Sequence, residues 1–156
     1  NVQGDEPLID PLMIDYMATY MIEQTGLKIA TLIHRIDDPA ELTNPNVVKV
    51  VINRDSEAMY FSRQAVPFVR DFPVENWLEH GPYFKHIGMY AYTSQALFAI
   101  EKMNMHPYEA MEKLEQLTWL ANGLSIHCLE SPMESRGIDT EEDLREVTSM
   151  IAEMED

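Results

Sequence analysis

Two carboxylates near opposite ends of the chain stand where they could hold one divalent cation. Asp5 lies in the motif GDEP at residues 4–7, just past a predicted strand, at the rim where open α/β sheets bind ligands. Asp139 lies in the motif GIDT at residues 137–140, directly before a predicted last helix. The same positions also suit a strand-to-helix turn and a helix N-cap. If Thr140 is the cap instead, the two carboxylates predict a magnesium site that serves phosphate chemistry.

A polar face on one predicted strand could bind a sugar. Alternation along residues 83–93 places His86, Gly88, Tyr90 and Tyr92 on one face, and Ile87, Met89 and Ala91 on the other. Because alternate side chains stand roughly 6.5 Å apart, we expect Gly88 to leave a gap about as wide as a sugar ring. A core histidine flanked by aromatic rings is the alternative. The need of several buried polar groups for partners favours a pocket.

Four further side chains could contact an acidic sugar. Arg63 directly follows a predicted strand, Arg70 lies in the loop after it, and a guanidinium can grip a carboxylate through two hydrogen bonds. Glu115 and Gln116 interrupt an apolar helical stripe and could bind sugar hydroxyls. For each of the four, a solvated surface side chain is the alternative interpretation.

The elements that must position these residues alternate between strands and helices. Apolar runs predict strands at residues 28–36, 47–53, 57–62, 83–93 and 124–130. Helical spacing and caps predict helices from Pro11 to a stop at Gly26, at residues 94–103 and 107–122, and after Asp139. Residues 63–82 are predicted to be a binding loop. The last helix is expected to carry an apolar face of Leu144, Val147, Ile151 and Met154. This order predicts an α/β sandwich with a mostly parallel sheet.

The composition narrows the function classes. The chain has 156 residues, with 27 acidic and 11 basic side chains and a formal net charge of -16, which disfavours nucleic acid and anionic membrane surfaces as partners. A single cysteine, Cys128, excludes an internal disulfide, and no residues show zinc-ligand spacing. No apolar run is long enough to span a membrane. These features favour a cytoplasmic protein. The chain opens without methionine inside a strand-like stretch, so we expect it to be part of a longer protein.

Several stretches together resemble one family, the cytidylyltransferases that activate 3-deoxy-manno-octulosonate (Kdo). They are NVQGDEP at residues 1–7, YFSR at 60–63 with Pro67 following, KHIG at 85–88 with YAY at 90–92, LEQL at 114–117 and GIDT at 137–140. Their order and spacing match the C-terminal part of that family over nearly the whole chain. Residues 1–156 are therefore expected to form the C-terminal part of a single cytidylyltransferase domain.

The resemblance implies a fold, a reaction and a set of roles. It implies a nucleotide-diphospho-sugar-transferase-like mixed sheet flanked by helices, incomplete at its N-terminus, in a homodimer that makes CMP-Kdo from CTP and Kdo for lipopolysaccharide assembly. Residues 60–122 would contribute the sugar pocket and the dimer contacts. Asp5 and Asp139 would be the catalytic carboxylates that hold Mg²⁺. The sugar-acid pocket would comprise Gln3, Arg63, His86, Tyr90, Glu115 and Gln116.

One departure from the family pattern leaves alternatives open. The family's N-terminal segment, a basic loop that holds the triphosphate, is absent from these residues. The activity is therefore expected of the parent protein, and this chain alone is expected to be inactive. The alternatives are a cytidylyltransferase for a related sugar acid such as 8-amino-Kdo, a non-catalytic remnant that acts as a dimerisation or sugar-binding module, and an α/β scaffold without a ligand.

Overall fold

A computed structural model describes residues 1–4, 9–133, 138 and 141–154. The strands are β1 (Ile29–Arg35), β2 (Lys49–Ile52), β3 (Ala58–Ser62), β4 (Phe84–Tyr92) and β5 (His127–Glu130). The helices are α1 (Pro11–Glu23), α2 (Pro39–Thr43), α3 (Ser94–Ile100), α4 (Pro107–Glu112), α5 (Gln116–Ala121) and α6 (Glu141–Met154), with a 3₁₀ helix at Val74–Glu79. The predicted alternation of strands and helices is confirmed. Helix α2 was missed, although Asp38 caps it and Pro39 opens it.

The strands form one mixed sheet in the order β3-β2-β4-β1-β5. Strand β1 pairs with β5 in parallel, whereas the β1–β4, β2–β3 and β2–β4 pairs are antiparallel. The mixed α/β fold is confirmed, but the expectation of a mostly parallel sheet is wrong for the strands described. Apolar β-branched runs are typical of parallel sheets because both faces are buried. An antiparallel sheet covered on both faces gives the same pattern.

Helices cover both faces of this sheet. Helix α1 starts at Pro11, where the Asp10 side chain accepts a hydrogen bond from the Leu12 N–H at 2.8 Å. Its Met13 and Met17 pack with Leu32 of β1 and other side chains of the first face. The second face packs against residues of α3 and α5 and the turn before α5: Ala96, Leu114, Leu117 and Trp119. Strand β4 lies inside the sheet, so its two sets of side chains enter different cores.

The predicted binding loop is anchored by a third apolar cluster at one end of the sheet. Trp77 of the 3₁₀ helix and Tyr83 pack with Ile36 and Leu42. The Trp77 Nε1–H donates to Phe72 O at 2.9 Å, and the Tyr83 hydroxyl donates to Pro67 O at 2.6 Å. The segment is therefore ordered by its own aromatic side chains, and its role in binding stays a prediction.

The single helix predicted at residues 107–122 is two helices. Lys113 adopts a left-handed conformation with φ of 56°, which ends α4, and α5 begins at Gln116. Helix α6 lies where predicted, but Val147 is buried while Leu144 and Ile151 are exposed, so only part of the expected apolar face is covered among the residues described. Over that same part of the chain, no helix has the length and apolar character needed to cross a membrane.

Candidate functional site

The polar face predicted for β4 is confirmed by its ring contacts. The rings of His86 and Tyr90 contact each other, and Tyr90 stacks on Tyr92 with a centroid distance of 5.8 Å. Trp119 of α5 meets both tyrosine rings edge-on. On the opposite side of the strand, Ile87 packs in the core beneath α1. The helical cover of the second sheet face therefore brings α5 against the aromatic surface where a sugar was expected.

The expected gap between His86 and Tyr90 is not present. Their ring centroids are 5.2 Å apart at an interplanar angle of 46°, which leaves no room for a sugar ring between them. Gly88 has no Cβ to hold the rings apart, and aromatic rings attract each other at this distance. A Cβ built on Gly88 would stand 3.5 Å from Cγ of Gln3, so the Gln3 side chain lies against this glycine. A bound sugar would have to lie over the rings and not between them.

Asn1 lies beside the part of β4 that does not pair with β2. Asn1 N donates to Tyr90 O at 2.7 Å, and Tyr90 N–H donates to Asn1 O at 2.9 Å. This reciprocal exchange is that of a hydrogen-bonded antiparallel pair. It places Gln3 near the polar face, so the structure brings together Gln3, His86 and Tyr90 from the predicted pocket.

His86 is held as a neutral imidazole. Its Nε2 lies 2.9 Å from Thr31 Oγ1, and its ring meets Phe61 edge-on. Burial lowers the pKa of His86 to about 3, because the charged form would lose its hydration. At neutral pH the ring therefore carries no charge and offers one donor and one acceptor.

The Tyr90 hydroxyl is buried, and among the described residues no group meets it with hydrogen-bond geometry, although Thr31 lies close enough to lower its pKa slightly against the effect of burial. Tyr90 is 4% exposed, and burial, followed by the influence of Tyr92, raises its pKa well above the usual range. Burial also raises the pKa of Tyr92 to about 12. An orphaned hydroxyl in a packed site is unusual, since buried polar groups nearly always find partners. The role of Tyr90 as a sugar ligand stays a prediction.

Glu115 and Gln116 lie at the start of α5, next to the same surface. Glu115 is exposed, and its charge contributes to raising the pKa of both Tyr90 and Tyr92, which places it within electrostatic range of their hydroxyls. Gln116 is buried. The left-handed turn at Lys113 thus sets Glu115 beside the polar face. The roles of Glu115 and Gln116 as sugar ligands stay predictions.

Arg63 is engaged elsewhere in this structure. Its backbone N–H donates to Glu112 Oε2 at 2.8 Å, and its Nε donates to Glu112 O at 2.7 Å. Its Nη1 donates to Pro45 O at 3.1 Å. A grip on a substrate carboxylate would require some of these bonds to open. The side chain of Arg70 is 89% exposed, and its Nε lies 3.7 Å from Asp71 Oδ1. This agrees with the alternative interpretation of Arg70 as a solvated surface arginine.

Comparison with known proteins identifies the family of this chain. The model of a family described as cytidylyltransferase matches residues 1–126. The chain belongs to the cytidylyltransferase family. It is 46% identical over 149 residues to the 3-deoxy-manno-octulosonate cytidylyltransferase of Cytophaga hutchinsonii, covering 95% of this chain and 59% of that protein. It is 43% identical over 150 residues to the protein of the same name from Solibacter usitatus, covering 96% of this chain and 58% of that protein.

Solved structures show the same fold. A CMP:2-keto-3-deoxy-manno-octonic acid synthetase in complex with CTP matches at a TM-score of 0.86 and 35% identity, over 99% of this chain and 61% of the other. A putative glucose-1-phosphate thymidylyltransferase from Bacillus anthracis shares the fold at a TM-score of 0.51 and 16% identity. The chain spans about three fifths of the length of the cytidylyltransferases it matches. The family resemblance drawn from the sequence motifs is confirmed.

Sequence reasoning missed two buried polar residues in the central strands. Thr31 is the single polar residue in the apolar run IATLI of β1, and Lys49 is the single charge in the apolar run VVKVV. Lys49 is 0% exposed, and its Nζ donates to Asn44 O at 2.7 Å and to Val47 O at 2.5 Å. Burial, and then the nearby Arg63 charge, lower its pKa to about 8. A lone polar residue in an apolar strand was the available signal.

The predicted metal carboxylates, Asp5 and Asp139, lie outside the described residues. Within residues 1–4, 9–133, 138 and 141–154, no group of three or more acidic, histidine or cysteine side chains could hold a metal ion. The magnesium site therefore remains a prediction from the sequence.

Proposed function

We propose that this protein transfers CMP from CTP to Kdo and releases pyrophosphate, a step that supplies CMP-Kdo for lipopolysaccharide assembly in the cytoplasm. The observation that carries the proposal is the match of almost the whole chain to a synthetase solved with CTP. The orphaned Tyr90 hydroxyl beside a neutral His86 supports it, because a polyhydroxylated substrate offers partners to both groups.

The reaction joins the anomeric hydroxyl of the sugar acid to the α-phosphorus of CTP, and the bond from that phosphorus to the pyrophosphate oxygen breaks. This chain's part is to position the sugar over the rings of His86 and Tyr90 and to keep that surface dry. Trp119 and Phe61 pack around the two rings and exclude water from them. Positioning of this kind can supply most of the rate enhancement in a transfer that needs no protein nucleophile.

Asp5 and Asp139 would hold Mg²⁺, which when bound neutralises phosphate charge and acidifies the attacking hydroxyl. Both are carboxylates, the ligands that this ion prefers. With 27 acidic and 11 basic residues, the chain carries few cations that could neutralise a triphosphate itself. A requirement for a divalent cation follows from that imbalance.

The metal assignment is tested with Asp5→Ala and Asp139→Ala in the full-length protein. Each variant is expected to lose at least 100-fold of the Mg²⁺-dependent pyrophosphate release with CTP and Kdo, a loss of roughly 3 kcal/mol of transition-state stabilisation. Asp15→Ala is the matched control, since Asp15 is an exposed carboxylate on α1, and it is expected to keep full activity. Near-normal turnover in either Asp5→Ala or Asp139→Ala would refute the proposed site.

The same assay separates the alternatives. Release with 8-amino-Kdo in place of Kdo would identify the related cytidylyltransferase. Absence of release with either sugar acid, together with binding of Kdo in calorimetry, would identify a sugar-binding module. The two sugars differ only at one position, so the assay compares them at equal concentration with the same enzyme preparation.

A homodimer is part of the proposal. Residues 60–122 carry several large apolar side chains that are exposed in the single chain: Phe68, Phe72, Leu97, Phe98, Met105, Tyr108 and Met111. Contiguous apolar patches on a protein surface mark protein contacts, so these side chains are the ones expected to be covered in the dimer. Sedimentation of the full-length protein at micromolar concentration measures the association, and a monomer at every concentration would contradict it.

A further inference from the structure

Thr31 lies in the middle of β1, directly beneath the candidate sugar site. It is 0% exposed, and its Cα is paired with that of Tyr90 in the sheet. The register between β1 and β4 shifts by two residues just after it, from Thr31↔Tyr90 to Leu32↔Ile87. Met89 consequently has no β1 partner in the register, and the Thr31 side chain faces the irregular stretch.

The hydrogen bonds of Thr31 determine the proton position on His86. Thr31 Oγ1 carries one hydrogen, and it lies 2.8 Å from Met89 O and 3.4 Å from Ile87 O, which can only accept. The hydrogen therefore points to Met89 O. Oγ1 must then accept from the third neighbour, His86 Nε2, at 2.9 Å. The imidazole hydrogen sits on Nε2, and Nδ1 keeps its lone pair.

The opposite tautomer would place two acceptor oxygens against each other. If Nε2 carried the lone pair, the Thr31 hydrogen would have to point to it, and Thr31 Oγ1 and Met89 O would face each other at 2.8 Å with no hydrogen between them. Oxygen atoms come this close when a hydrogen bond joins them, so the geometry supports one tautomer. No described residue hydrogen-bonds Nδ1, which is the remaining acceptor of the ring.

We propose that Thr31 is a positioning residue that fixes His86 as the Nε2–H tautomer, so that Nδ1 accepts a hydrogen bond from a hydroxyl of the sugar acid. The Tyr90 hydroxyl, on a ring 5.2 Å from that of His86, supplies the complementary donor. An acceptor and a donor side by side recognise the polyol part of the substrate. A carboxylate cannot donate to Nδ1, so the acid group must bind elsewhere. This inference rests on the proposed function.

The first experiment identifies the tautomer of His86 in the absence of substrate. Nitrogen-15 NMR of the histidine rings in the full-length protein distinguishes Nε2–H from Nδ1–H, with His86→Gln identifying the His86 signals. Wild type and Thr31→Ser, which keeps the hydroxyl, are expected to show a single Nε2–H form. Thr31→Val, which is similar in shape but lacks the hydroxyl, is expected to show a mixture of both forms. An Nδ1–H signal in wild type, or an unchanged ring in Thr31→Val, would overturn the proposal.

The second experiment measures how the change at Thr31 affects the KM values for the two substrates. Thr31→Val is expected to raise the KM for Kdo about tenfold and to leave the KM for CTP unchanged, with Thr31→Ser close to wild type. An equal rise of both KM values would assign Thr31 to stability alone and would overturn the positioning role. If the proposed function is wrong, the result differs: the wild-type protein shows no Kdo-dependent release of pyrophosphate. In that case hydroxyl recognition of Kdo is refuted, while the tautomer stands or falls on the NMR result.

Discussion

At the scale of single residues, Tyr90 and Tyr83 are both buried tyrosines with opposite hydrogen-bond states. The Tyr83 hydroxyl donates to Pro67 O at 2.6 Å, whereas the Tyr90 hydroxyl finds no partner among the described residues. The first hydroxyl stabilises the fold, while a buried hydroxyl without a partner costs free energy. This contrast makes the proposed role of Tyr90 in recognition testable.

Removing the Tyr90 hydroxyl is therefore expected to stabilise the free protein and weaken its function. Tyr90→Phe should raise the free energy of unfolding by about 1 kcal/mol, because an unsatisfied buried group is lost without a cavity. It should also weaken sugar-acid binding several-fold. Urea unfolding and calorimetric titration with Kdo measure the two effects.

Tyr83→Phe is the matched control for this change. It removes the same atom but breaks a hydrogen bond, so it should lower the free energy of unfolding by about 1 kcal/mol and leave Kdo affinity unchanged. If Tyr90→Phe destabilised the protein as much as Tyr83→Phe, the Tyr90 hydroxyl would have a partner in solution and would not be waiting for a ligand.

At the scale of elements, the break between α4 and α5 determines where Glu115 and Gln116 lie. Lys113 ends α4 in the left-handed region, its N–H donating to Glu109 O at 2.7 Å. Leu114 is buried directly after it, and α5 starts at Gln116. The apolar spacing of residues 107–122 fits one continuous helix equally well. The packing of Leu114 and Leu117 in the core favours two helices over one.

The left-handed residue makes this break a site for stabilisation. Lys113 is exposed, and a non-glycine residue in this region costs roughly 1–2 kcal/mol, so Lys113→Gly should raise the free energy of unfolding by about 1 kcal/mol. Lys113→Ala keeps the strained conformation and should change stability little. Chemical denaturation of the three proteins tests this, and destabilisation by glycine would mean that the turn is not left-handed in solution.

At the scale of the whole molecule, the formal net charge of -16 reflects an excess of acidic over basic side chains. Two of its few cations, Lys49 and Lys85, are buried, and Lys85 Nζ bonds Glu41 Oε1 at 2.5 Å. They therefore contribute little to neutralising the acidic surface. Self-repulsion of such a surface destabilises the compact state and is weakened by salt.

Salt is therefore expected to stabilise this chain. Raising NaCl from 0.01 to 0.1 M shortens the screening length from about 30 Å to about 10 Å and should raise Tm by roughly 2–4 °C. The variant Asp15→Asn with Glu23→Gln removes two exposed charges and should respond less. Thermal unfolding followed by circular dichroism measures both, and a fall of Tm with salt would show that attractive ion pairs dominate.

Much of the architecture was readable in the sequence because local patterns carry it. Asp10 with Pro11 predicted the start of α1, and alternation in β4 separated the face of His86 and Tyr90 from that of Ile87. The side-chain period of a strand is set by the backbone, so any correct strand assignment yields its two faces. The family motifs extended this to a reaction class.

Sequence alone thus determined most of the elements, the polar face and the family, all of which depend on residue type and spacing along the chain. Only the tertiary structure decided the direction of the strands, the contact of the His86 and Tyr90 rings, and the bonds that hold Arg63 against Glu112. It also placed Thr31 Oγ1 within hydrogen-bond distance of both His86 Nε2 and Met89 O. These features depend on distances between residues far apart in sequence, which are set by packing of the two cores and not by any local pattern.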